Sequence, residues 1–201
     1  NKKVKNAAVR QFWDKEMANT GQREKQEMIP YFSSKFGPFV TNMQIRNIIG
    51  QVKSGFDFRE VMDNKKILLV NLSKGKTGDV NAELLGLIIV SKLQMAALTR
   101  ADIPEDQRHD FFLYIDEFQN FITDSIATIL SEARKYRLNL IIAHQYIGQL
   151  VKNNDTKIKE AVFGNVGTTF VARIGPEDVE TIEKIYSPDF SGYDLINSDK
   201  F

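Results

Sequence analysis

Two short apolar runs that each end in polar residues constrain this chain more than any other feature. They are "FFLYID" at 111–116 and "LNLIIA" at 138–143. Between them Asp124 opens a segment with Ile126, Ile129, Leu130 and Ala133 at helical spacing. Strand, helix and strand in that order make the two strands parallel neighbours, because parallel pairing needs a long crossover. Such strands present their ligands at the carboxyl end of the sheet.

The rest of the chain extends this pattern. "KILLVNL" at 66–72 and "TTFVAR" at 168–173 predict two further strands, and Asp79 predicts a helix cap for residues 80–99. That helix is apolar on nearly every side, so burial is expected. "PEDVETIEKIY" predicts a helix with proline in its first turn. Strands alternating with helices imply an α/β fold, a mostly parallel sheet covered on both faces. Residues 1–63 differ, with short amphipathic stretches and no strand run. Ala8, Phe12, Trp13 and Met17 share one spacing. Met28, Tyr31 and Phe32 begin another cluster, with a break expected at Gly37-Pro38. Thr41 is the expected cap of a helix carrying Ile45, Ile48 and Ile49, and Asp57 caps "DFREVMD". The expected organisation is an all-α subdomain over 1–63 followed by the α/β part over 64–201.

Composition excludes several classes. A net charge of +1 carries no global basic field, so any nucleic-acid contact needs a local patch or a ring of subunits. There are no cysteines, hence no disulfide or thiolate metal site, and the two histidines, His109 and His144, are far apart in sequence. The longest strongly apolar run, Leu84–Val90, is far short of the roughly 20 residues that span a bilayer. No signal peptide is evident. The chain opens at Asn1 within a helical segment, so a piece of a longer protein is expected.

Three stretches carry chemistry. Asp116 and Glu117 close the first strand of the pair. Phosphoryl transfer needs one carboxylate to hold Mg²⁺ and another to position the attacking water. An acidic pair that only caps the next helix is the plainer alternative. His144 and Gln145 close the second strand, so Gln145 is expected beside the carboxylates. "SEARKYRLN" places Arg134 near a helix end with Lys135 and Arg137, where cations ordinarily offset the helix dipole. A fourth stretch, "SKGKTG", imitates a phosphate loop. Counting back five residues from Gly75 reaches Val70, still inside the expected strand, so the loop is too short to wrap a phosphate. Lys74 and Lys76 then become loop cations, solvated or facing a phosphate backbone.

"KILLVNLSKG", "FFLYIDEFQNF", "ILSEARKYRLNLIIAHQYIGQL" and "FGNVGTTFVARIG" together resemble the HerA/FtsK superfamily of ring ATPases. They are most similar to its TraG/TraD-like branch, the coupling proteins of conjugation and type IV secretion. The resemblance covers about 56–196, and it implies a RecA-like P-loop NTPase core with part of its sheet. The helical front resembles the all-α insertion of such motors. It implies that Asp116 is the Walker B magnesium ligand, Glu117 the catalytic glutamate, Gln145 the nucleotide sensor and Arg134 the finger given to a neighbouring subunit. It also implies ATP and Mg²⁺ as cofactors, sequence-independent DNA contacts for which Lys74 and Lys76 are the candidates, and a homo-hexamer. The expected location is cytoplasmic, with membrane secretion machinery reached through regions outside this chain. The family's Walker A loop precedes the helical insertion and has no counterpart before residue 56. ATP binding by these 201 residues alone is therefore not expected. A non-catalytic scaffold or nucleic-acid-binding module is the competing expectation.

Overall fold

The computed structural model of the chain describes residues 5–199, and the side chains of these except residues 32, 35, 36, 38–40, 124 and 125. The chain divides into two compact units, Asn1–Lys53 and Ser54–Phe201.

The described part of the first unit is helical. The Asn6 side chain accepts from the Ala8 and Val9 amides and starts α1 (Ala7–Gln11). A π-helical turn, Phe12–Glu16, leads into α2 (Met17–Asn19), with the Phe12 and Trp13 rings edge to face. Next, α3 (Gln22–Thr41) runs through Gly37 and Pro38, where the sequence predicts a break. Proline's φ is already helical, so a helix can pass through it at the cost of one N–H bond and of crowding against the carbonyl four residues back. Phe32 and Pro38 lie outside the described side chains. Asn42, not Thr41, caps α4 (Met43–Ile49), its side chain accepting from the Ile45 amide at 3.0 Å.

In the second unit Asp57 caps α5 (Phe58–Asp63), as expected, accepting from the Glu60 amide at 2.9 Å. After an irregular stretch come the single turn α6 (Lys74–Thr77) and the long α7 (Asp79–Thr99). The strands are β1 (Phe111–Ile115) and β2 (Leu138–Ile142), joined through α8 (Asp124–Glu132) and a short turn, Ala133–Tyr136. They pair in parallel, Phe111 beside Leu138 and Ile115 beside Ile142. Finally α9 (Lys157–Asn165), α10 (Val179–Tyr186) and α11 (Gly192–Asn197) follow, with Pro176 opening the turn before α10 as expected.

The main core forms where α5, α7, α8 and α9 meet the inner face of the strands, around Met62, Leu93, Ile115, Phe118, Ile126 and Val162. A smaller cluster joins Ile147, Ile182 and Leu195. Pleating alternates the strand side chains, so Ile115 is buried while Phe112 and Tyr114 stand exposed on the other face.

Two expected strands do not pair. Residues 66–72 and 168–173 are irregular, and Ile67, Leu69 and Phe170 are at least 90% exposed. A strand forms only beside a neighbour that takes its amides and carbonyls. Among the described residues neither segment has one. The helix α7, expected to be buried, is only partly covered: Leu85, Val90 and Leu93 are buried, whereas Val80 and Met95 are exposed. Taken over Asp79–Asp102, it is long and apolar enough to cross a membrane, although the longest uninterrupted apolar run in the sequence falls short of that.

Candidate functional site

The site forms at the carboxyl ends of β1 and β2. The ladder continues one step past the strands, the Ala143 amide donating to Ile115 at 3.0 Å and the Phe118 amide to Ala143 at 2.9 Å. Glu117 sits between these bonds with φ +50°, the left-handed region that non-glycine residues seldom occupy. Such strain persists only where the surroundings enforce it. Here the clamp is the fully buried Phe118 side chain together with its amide bond to β2. A close helix approach adds to it. A Cβ at Gly86 of α7 would lie 2.0 Å from the Phe121 ring, so only glycine lets the turn Phe118–Phe121 rest there.

This backbone brings the expected pair together. The Gln145 side-chain amide donates to Glu117 Oε1 at 2.9 Å, and Gln119 donates to Oε2 at 2.5 Å. Asp116 Oδ1 accepts the Glu117 amide at 3.0 Å. The carboxylate of Asp116 is exposed, and its hard oxygens are of the kind that hold Mg²⁺ through water. Among the described residues no group of three or more His, Cys, Asp or Glu side chains gathers as a metal cage. Mg²⁺ commonly takes only one or two carboxylates, so Asp116 with Glu117 nearby suits such an ion.

The two amides, Gln145 foremost, stabilise the charged form of Glu117 and hold its pKa below the ordinary value, with a smaller pull from Lys74. The interaction is fully present above the ordinary glutamate pKa and is lost as the pH falls through the lowered one. Gln145→Ala should raise the Glu117 pKa, measurable by carbon NMR of its carboxyl. An unchanged titration would mean that the bond does not persist in solution.

Several contributors were not legible beforehand. Gln149 Oε1 accepts the amides of Gln145 and Tyr146 at 3.0 and 3.3 Å. The buried Asp178 accepts the Ile147 amide on both oxygens at 3.2 Å. Together they fasten the segment that carries Gln145. Lys74 reaches Asn120 Oδ1 at 3.4 Å and lies 3.8 Å from Asp79, so it borders the site. The amides of Lys76, Thr77 and Gly78 donate to Ser73 and Lys74 within their own turn.

Arg134 lies in the turn at the opposite, amino-terminal end of β2 and does not meet the other candidates. Its side chain is exposed, and among the described residues it has no hydrogen-bond or ion-pair partner. Its neighbours are engaged, Lys135 with Glu132 at 3.1 Å and Arg137 with Asp110 at 3.8 Å.

Residues 110–188, from the start of β1 to the end of α10, match the family model described as the TraM recognition site of TraD and TraG. The match supports the TraG/TraD coupling branch. It contains Asp116, Glu117, Arg134 and Gln145 but not Lys74 or Lys76, and it covers less than half of the chain. No curated protein and no solved structure matches the chain. The TraG/TraD match thus points to conjugation for the very segment that holds the paired strands.

Proposed function

We propose that this chain is the carboxyl-terminal part of an ATP-driven DNA-translocating motor of the HerA/FtsK type, serving conjugation or type IV secretion. The observation that carries the reading is the Glu117–Gln145 hydrogen bond across two parallel strand ends, within the region that matches the TraG/TraD family. A carboxylate tied to an amide on the next strand is an arrangement that senses and positions. Glu117 orients the attacking water, and Gln145 reports whether the terminal phosphate is present. Asp116 would hold Mg²⁺, which when bound neutralises charge on the phosphate oxygens.

In this reading the motor is a homo-hexamer at the cytoplasmic face of the membrane. Arg134 serves the site of the neighbouring subunit, which accounts for its distance from Glu117 and its unengaged side chain. Lys74 and Lys76 meet the DNA backbone without reading sequence. Because Lys74 also touches Asn120, a phosphate bound there would be felt at Glu117. A protein partner of the TraM kind docks on residues 110–188, as the family description states for TraD and TraG.

The test is Mg·ATP hydrolysis by the complete protein with and without DNA. Arg134→Ala should lower kcat by about 10³ or more, the usual worth of such a finger. The KM should move little, as befits an interaction made in the transition state. Absence of any hydrolysis by the wild-type protein would favour the non-catalytic scaffold instead.

A further inference from the structure

The side chain of Arg100 is 0% exposed, in a chain where the other buried core side chains are almost all apolar. It sits in the turn that closes α7 and reaches under the amino-terminal ends of both strands. One guanidinium nitrogen donates to the Tyr136 carbonyl at 2.9 Å and another to the His109 carbonyl. Its Nε faces Asp63 at 3.0 Å. The second Asp63 oxygen takes Arg59 at 3.1 Å, and the fork of Arg59 grips both oxygens of Asp102 at 2.6 and 2.8 Å. Arg108 works alongside. Its Nε donates to Ile103 at 2.8 Å, its Nη1 to the Lys135 carbonyl, and its guanidinium lies 5.5 Å from the centre of the Tyr136 ring.

Two consecutive carbonyls in the turn Ala133–Tyr136 are therefore each held by a guanidinium rooted outside that turn. Capping strand ends does not demand this. Water serves exposed carbonyls, and burying an arginine carries a desolvation cost that an apolar side chain would avoid. What the clamp adds is a fixed direction for the residue beside it, Arg134, whose own side chain is unengaged.

We propose that Arg100 and Arg108 are positioning residues for Arg134, holding the backbone of its turn so that the side chain leaves the fold from a fixed place and direction. The proposal rests on Arg134 acting on a neighbouring site. A displacement of about 1 Å at such a group costs on the order of 10² in rate, so the clamp is worth its burial.

Subunit mixing in the complete protein tests it. Arg134→Ala subunits keep a sound Glu117, and Glu117→Gln subunits keep a sound Arg134, so mixing the two should restore hydrolysis. Arg100→Met and, separately, Arg108→Met should each lower kcat on the order of 10² with KM little changed. Each should also be rescued by Glu117→Gln subunits, with Arg100→Lys intermediate. A misfolded subunit would not be rescued, and Arg108→Met keeps the test open if Arg100→Met does not fold. Rescue of Arg134→Ala, together with no loss or an unrescued loss in every clamp variant that folds, would overturn the clamp and leave the finger standing. Failure to rescue Arg134→Ala would overturn the finger reading and the clamp with it.

Discussion

Glu117→Gln should stop ATP turnover by the complete protein while leaving ATP binding intact. The substitution keeps shape and removes charge. The Gln145 amide still finds an oxygen at position 117, where it now donates at 2.9 Å to Oε1. The new amide nitrogen would face Gln119, whose own Oε1 is buried without a partner, so a flip of that amide satisfies both groups. The fold around the left-handed residue 117 is thus retained. The loss is the carboxylate that accepts from the attacking water, worth about 10²–10⁴ in rate. Hydrolysis measured beside calorimetric ATP binding separates the two effects. Near-normal turnover would remove Glu117 from the chemistry, and lost binding would assign it to nucleotide affinity.

The largest effect on stability is expected at the next residue. Phe118 is fully buried in the main core, and its amide holds the Ala143 carbonyl of the neighbouring strand. Phe118→Ala leaves a cavity beneath the strand ends and should cost about 3–5 kcal/mol, read as a lowered urea midpoint. Phe112→Ala, on the exposed face of the same strand, should stay within about 0.5 kcal/mol. Equal losses at the two positions would mean that the sheet buries both faces in solution. Since Phe118 braces the strained backbone of Glu117, the first variant should also shift the Glu117 titration toward its ordinary value.

How far the sequence disclosed this arrangement depended on whether a signal was local. β1, β2, α8, the Asp57 cap and the body of α7 follow from signals within a few residues. However, α7 begins on Asp79 itself, after Gly78 and without a side-chain cap bond, where the sequence predicts Asp79 as the cap. The adjacency of Glu117 and Gln145 followed from parallel pairing alone. Residues 66–72 and 168–173 misled because an apolar β-branched run states a preference that only a neighbouring strand can satisfy. Gly37-Pro38 misled because a local breaker signal was overridden within a longer helix. Gln119, Gln149, Asp178 and Arg100 carry no pattern at all. A polar residue gains its role from what faces it in space, here backbone amides and carbonyls supplied by other segments.

The two-stranded sheet has a consequence for handling the protein. Among the described residues β1 and β2 pair only with each other, so each keeps one outer edge of amides and carbonyls open. Open edges recruit further strands, from the same protein or another, and two strands alone are marginal in water. The chain therefore carries a template on both sides of its central pair. At high concentration it should associate with copies of itself through these edges.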